Sequence, residues 1–204
     1  MSMMQALMIG KRDTTFVDSI IGSSLSSGVT SVAIPAHQSG DLILAFGSAS
    51  GTGTAPTATA GWTSLLTYNN NPTFTSNDRA TRVVYKFGDG TAQTLTFTGA
   101  GSSASAYSGA IIFRNVNAIG NFASTSASTT VASSTFSAPA ISPLTYYPST
   151  IVIFSYVPVI SSTSIAGGIA TNGMVYVPDQ TSFAGGTVNL SPSSFRIGCS
   201  IEIY

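Results

Sequence analysis

The sequence predicts an all-β chain: a two-sheet antiparallel sandwich of jelly-roll or Greek-key type with a short N-terminal arm. Three observations lead there. Apolar residues alternate with polar ones or run unbroken for about four to eight residues. The segments are separated by Gly, Pro, Asn and Ser clusters at the spacing of a sandwich, and helical periodicity is nearly missing. The chain has 204 residues, 43% of them hydrophobic and 10% aromatic, enough to bury a core without disulfide or metal.

The elements follow in order. Residues 29–34 read as a strand stopped by Pro35, followed by a turn of His37, Gln38, Ser39 and Gly40. Residues 41–46 (DLILAF) form an almost continuous apolar run, the pattern of a central strand buried on both faces. Residues 47–61 hold four Gly and one Pro and read as a long loop with weak edge structure. Residues 62–68 resume β character, and 69–72 are a polar loop. From 79 to 87, Val83, Tyr85 and Phe87 alternate with Arg82, Val84 and Lys86. Gly88-Asp89-Gly90 is a tight-turn signal before residues 91–98, so the two segments read as a hairpin. Residues 107–114 make another interior strand, 123–137 an exposed Ser/Thr-rich edge strand, and 151–157 a second buried run. Short strands follow at 174–177 and 187–190. In the last strand Phe195, Ile197, Cys199, Ile201 and Ile203 share one face, and Arg196, Ser200 and Glu202 the other. The tract 142–149 (SPLTYYPS) is the best linker candidate but divides the chain into no self-sufficient halves. Residues 14–204 therefore read as one domain and 1–13 as an arm, either an assembly contact or a frayed end.

Charge narrows the function. Seven Lys or Arg and seven Asp or Glu cancel to zero, where a soluble domain devotes about a quarter of its residues to charge. Either a rigid β protein tolerates a hydroxyl-rich skin, or the surface works packed against copies of itself or a larger assembly. Zero net charge gives no long-range pull toward nucleic acid or an anionic membrane. The start MSMMQALMIGKRD places its charges after a short apolar run, the reverse of a secretory leader, and no stretch approaches the roughly 20 apolar residues of a membrane span. The expected product is made in the cytoplasm and is soluble until it meets its partner. The single cysteine, Cys199, falls on the apolar phase of its strand and is expected to be a buried, inert thiol.

Little chemistry is on offer. The one histidine, His37, sits in a turn and is expected to be solvated; a nucleophile triad would need Ser and Asp from distant loops, with no G-x-S-x-G elbow. One Cys and one His cannot hold zinc. Paired carboxylates would have to come from Asp13, Asp18, Asp41, Asp78, Asp89, Asp179 and Glu202, of which Asp41, Asp78 and Asp89 stand at turns where Asp caps backbone groups. No calcium loop or phosphate loop is present. No catalytic, cofactor-binding or metal residue is expected. Trp62, Tyr68, Phe74 and Tyr107 are the candidates for stacking a sugar ring, although a sole tryptophan after Gly61 more often plugs a core.

Four blocks carry a resemblance: residues 32–46 (VAIPAHQSGDLILAF), Gly61-Trp62-Thr63, residues 82–86 (RVVYK), and residues 107–116 (YSGAIIFRNV). In order and spacing they resemble a β-sandwich family common in tailed-phage virion proteins, and residues 137–139 with 151–154 fit its second half more loosely. The resemblance implies a fold and a virion setting, and no site. Taken with the charge-poor surface, it makes the leading expectation a non-enzymatic virion structural protein, a capsid decoration (cement) subunit. Its partners would be the major capsid protein and copies of itself, with a trimer natural at a capsid local axis. The alternative is a tail, fibre or spike subunit that binds other tail proteins or a host glycan, the glycan through loops such as 47–61 and 69–77. A glycan-processing enzyme on the same scaffold is a third.

Overall fold

The computed structural model describes residues 20–27, 30–50, 54–69, 79–99, 107–126, 133–155, 160–171, 174–194 and 197–204; the N-terminal arm, Phe74 and Asp78 lie outside them. The described residues form sixteen strands and no helix, the all-β class expected. The strands fall into two runs of eight. The first is β1 (Ile20–Ser27), β2 (Ser31–Ala33), β3 (Ser39–Ser50), β4 (Thr57–Ala58), β5 (Thr63–Asn69), β6 (Arg79–Asp89), β7 (Thr94–Thr98) and β8 (Tyr107–Phe113). The second is β9 (Ile119–Ser126), β10 (Ser133–Ala138), β11 (Ser149–Ser155), β12 (Ile160–Thr163), β13 (Ile169–Thr171), β14 (Met174–Gln180), β15 (Gly186–Ser194) and β16 (Ile197–Ile203).

Strands β1-β8-β3-β6-β5 form a five-stranded sheet and β2-β7-β4 a three-stranded one; β9-β16-β11-β14-β13 and β10-β15-β12 do the same in the second run. Adding eight to every strand number of the first run reproduces the second. The chain builds the same antiparallel two-sheet sandwich twice, and the boundary lies at residues 114–118. There the N–H groups of Asn117 and Ala118 donate to the carbonyl of the C-terminal residue Tyr204, at 2.6 and 2.9 Å.

The two units share a core. Leu42, Leu44, Phe46, Ile111 and Phe113 from one five-stranded sheet cluster with Val152, Phe154, Cys199, Ile201 and Ile203 from the other. Each five-stranded sheet turns its second face to its own three-stranded sheet, through Ile43, Ala45, Leu95 and Phe97 in the first unit and Ile151, Ile153, Phe136 and Val188 in the second. Four layers result, with the larger sheets inside. That is why residues 42–46 and 151–154 are apolar on both phases: β3 and β11 are central strands of inner sheets.

Register fixes the equivalences. Leu44 pairs with Tyr85 and Ile111, and Val152 pairs with Tyr176 and Ile201. One step along, Phe46 and Phe154 occupy the same place, and their rings meet edge to face at 5.7 Å and 64°. Phe113 meets Tyr176 at 6.4 Å, and the exchanged counterparts, Tyr85 and Ile203, lie in the same cluster. Equivalent residues meeting one another is the signature of an isologous interface, here within a single chain.

Several expectations are corrected. Residues 79–87 and 91–98 do not form a hairpin: β6 pairs with β3 and β5, while β7 pairs with β2 and β4. The Gly88-Asp89-Gly90 turn carries the chain between sheets. β1 was unforeseen because IIGSSLSS lacks alternation; its pairing with β8 defines it. The single edge strand expected at 123–137 is two strands, β9 and β10, in different sheets. The second face of the last strand, read as its polar side, is buried as well, with Ser200 and Glu202 at 0% exposure, because β16 lies in an inner sheet.

Candidate functional site

Among the described residues, the largest gathering of titratable groups lies at one end of the first unit, where the β2–β3 connection meets the β6–β7 turn. Pro35 and Gly40, the latter at φ 89°, bend the chain so that Asp41 opens the buried part of β3. Its carboxylate is 4% exposed and accepts the Gln38 N–H at 2.7 Å. Arg114, just beyond β8, clamps it through two hydrogen bonds of 2.9 Å, the bidentate geometry that makes such pairs strong. Those bonds, opposed by burial, hold the Asp41 carboxyl below its ordinary range. The aspartate and arginine of two separate resemblance blocks thus form one structural clamp.

His37 departs from expectation. Its side chain is 1% exposed, tucked under Gly88, where any Cβ would strike the ring. Nδ1 lies 2.9 Å from the Pro35 carbonyl and Nε2 3.4 Å from the Gln93 amide nitrogen. A carbonyl only accepts, so Nδ1 donates to it, and an amide nitrogen only donates, so Nε2 accepts from Gln93. Asp89 stands 4.0 Å away, with its Oδ1 taking the N–H and hydroxyl of Thr91. The Thr91 hydroxyl foremost, and the Thr91 amide next, hold that exposed carboxyl low. The ring is bonded to a carbonyl and an amide, with the Asp89 cap beside it, an arrangement that closes the end of the sandwich.

At the corresponding end of the second unit a lone carboxylate holds a loop. Glu202, fully buried, accepts from Thr145 N–H at 2.7 Å, Tyr146 N–H at 3.0 Å, Asn121 N–H at 2.9 Å and the Ser149 hydroxyl at 2.8 Å. Burial, the largest single influence, pushes its carboxyl up, but the four donors together outweigh it and the group is held below its ordinary range. Gly120 leaves the space the carboxylate fills. Sequence reasoning placed Glu202 on a polar face and missed this role; its register position, equivalent to buried Ile112 of β8, is the signal that finds it.

Trp62 and Tyr68, the aromatic candidates whose side chains are described, lie in different places. Trp62 is half-buried against the outer core of the first unit, whereas Tyr68 packs where the shared core meets that of the second unit. Tyr107 begins β8 opposite Ser48 and Ser27. Residues 51–53 and 70–78, including Phe74, lie outside the described residues. Among the described residues, no three of His, Cys, Asp and Glu are grouped to hold a metal ion.

Charge is distributed unevenly over the strands. Edge strands of the four sheets are β1, β5, β9, β13, β2, β4, β10 and β12, and not one contains Lys, Arg, Asp, Glu or Pro. Among the described residues, every charged residue within a strand belongs to β3, β6, β14 or β16. Arg82 and Lys86 bond to Ser64 and Gln93 of their own chain. No family model, curated protein or solved structure matches the chain.

Proposed function

We propose that the chain is a non-enzymatic structural subunit of a virion, a capsid decoration protein that packs against the major capsid protein and copies of itself. The observation that carries this reading is the bare chemistry of the edge strands. Unpaired strand edges invite another chain, and proteins that remain solitary guard them with charge, proline or extreme shortness. Here β2, β4, β12 and β13 are short, but β1, β5, β9 and β10 run six to eight residues without charge or proline. A contact free of Lys and Glu also avoids the entropy of pinning long side chains.

The resemblance of residues 29–116 to tailed-phage virion sandwiches supports the setting. Strand order supports it too: a jelly roll sets strands 1, 8, 3 and 6 in one sheet and 2, 7, 4 and 5 in the other, and each unit follows that order except that its fifth strand has joined the first sheet. The clusters around His37 and Glu202 hold loops and leave no group poised for turnover, which favours a binding role.

The test is incorporation into particles. Phe122, on edge strand β9, is 48% exposed, so Phe122→Lys together with Ser124→Lys should leave the fold intact. The doubly substituted protein is expected to keep its thermal transition yet fall about tenfold or more in particle occupancy, the loss for roughly 1.4 kcal/mol per tenfold of affinity. Wild-type protein should run stoichiometrically with the major capsid protein on a gel of purified particles. A few copies per particle, with a host-range defect on deletion, would instead identify a receptor-binding tail subunit.

A further inference from the structure

The doubled fold supplies its own comparison, because the same end of each unit is built by the same two connections. In the first unit these are residues 34–38 and 90–93; in the second, 139–148 and 181–185. A backbone bond ties each pair, Ile34 N–H to the Gln93 carbonyl and Ile141 N–H to the Phe183 carbonyl, both at 3.0 Å. In the first unit the imidazole of His37 fills the space between the connections. In the second, the longer connection leaves a groove of about 360 Å³, at the small end of ligand sites, which run from roughly 300 to 1,000 Å³.

The groove has a consistent chemistry. Its floor is buried and apolar, made by Ile141, Leu144 and Phe183 at 3 to 5% exposure. Its rim is exposed and carries the hydroxyls of Ser142 and Ser182 and the ring of Tyr147, which is 55% exposed. Neither connection contains a charged residue, and residues 115–178 hold none at all. The one charge beneath the wall, Glu202, is occupied by four donors. The same carboxylate fixes the amides of residues 145 and 146, and the Asn121 side chain donates to the Pro143 carbonyl at 2.9 Å. The wall is therefore set before any ligand arrives, which lowers the ordering cost of binding.

We propose that this groove binds a neutral pyranose residue of a carbohydrate chain. The apolar face of the ring lies on Tyr147 and the Leu144–Phe183 floor, and the serine hydroxyls exchange hydrogen bonds with its hydroxyl groups. A charged ligand would meet no counter-ion here and would lose hydration without compensation. The site does not depend on the assembly role, and differs from the loops and aromatics that the sequence alone nominates.

The experiment is an amide-resolved NMR titration of the full ¹⁵N-labelled chain. The probes are a panel of neutral saccharides (glucose, galactose, mannose, N-acetylglucosamine and their linear oligomers), with glucuronic and N-acetylneuraminic acids as charged comparators. At least one neutral saccharide is expected to shift amides in residues 140–147 and 181–184. Tyr147→Ala should weaken that binding about tenfold, the loss expected for one stacking ring, and Ala184→Trp, at an exposed rim position, should abolish it while the remaining spectrum is unchanged. If Ala184→Trp perturbs the fold, Thr181→Trp blocks the same groove from another exposed rim position. The proposal is overturned if no neutral saccharide shifts these amides, if the acidic sugars bind there equally well, if the shifts lie elsewhere, or if proline-rich peptides bind there and saccharides do not.

Discussion

Replacing Glu202 by Gln keeps the size of the side chain and removes its charge, which isolates what the carboxylate does. Oε1 accepts from Thr145, Tyr146 and Ser149, and Oε2 from Asn121. A carboxamide offers one acceptor atom, so its carbonyl can serve the first three donors only by turning its NH₂ against the Asn121 N–H. One bond to a charged acceptor, worth about 1.5–3 kcal/mol, is lost, and the others fall to neutral strength of about 1 kcal/mol each. Relief from burying a charge offsets part of this, leaving a net destabilisation of about 3 kcal/mol. With a urea slope of about 2 kcal/mol/M, the unfolding midpoint should drop by about 1.5 M. The pH dependence carries a sign. A carboxyl whose pKa falls on folding contributes stability that is full above its unfolded value and is lost as pH falls through the folded one. Wild-type protein should therefore weaken on acidification below the ordinary glutamate value of 4.5, and Glu202→Gln should weaken less steeply, with Asp41 and Asp89 supplying the remaining slope. A midpoint change under about 0.5 M, on the same slope, or an unchanged acid profile would refute the claim that this carboxylate holds the 139–148 loop.

Two further outcomes test the packing. Gly47→Ala drives a methyl group into the Phe97 ring and should cost about 1–3 kcal/mol as overpacking does; thermal melts should recover part of that loss in Gly47→Ala/Phe97→Leu, and an additive double variant would place the strain elsewhere. Cys199 is 2% exposed, and burial pushes its thiol up to about 12. A thiol reagent at pH 8 should therefore modify native protein more than about a hundredfold slower than unfolded protein, whereas comparable rates would mean that the shared core opens readily.

What the sequence disclosed was local. The runs at 41–46 and 151–154 announced central strands, because a strand covered on both faces needs no polar phase. Capping by Asp41 and Asp89 followed from turn chemistry, and the Cys199 thiol from alternation. Which strands pair could not be read, because Gly88-Asp89-Gly90 serves a hairpin and a sheet-to-sheet crossing equally well. Duplication left only a faint trace: Ile43-x-x-Phe46 recurs as Ile151-x-x-Phe154, and Val84-Tyr85 as Val175-Tyr176. Even the expected turn exposure of His37 failed for a tertiary reason, since the glycine that makes room for its ring lies 51 positions away. The groove was beyond reach because Phe183 and Leu144 become neighbours only once two distant connections meet, and the SPLTYYPS tract that forms its wall resembles a linker in composition alone.

The meeting of Phe46 with Phe154 has a consequence for life at low concentration. Two separate copies joined through such a face would part on dilution, but a peptide bond between them keeps the halves at an effective local concentration in the millimolar range or above. A chain alone in solution stays whole at any dilution. The tether also frees the halves from having to remain identical, so that one could seal its tip with an imidazole while the other left its tip ajar.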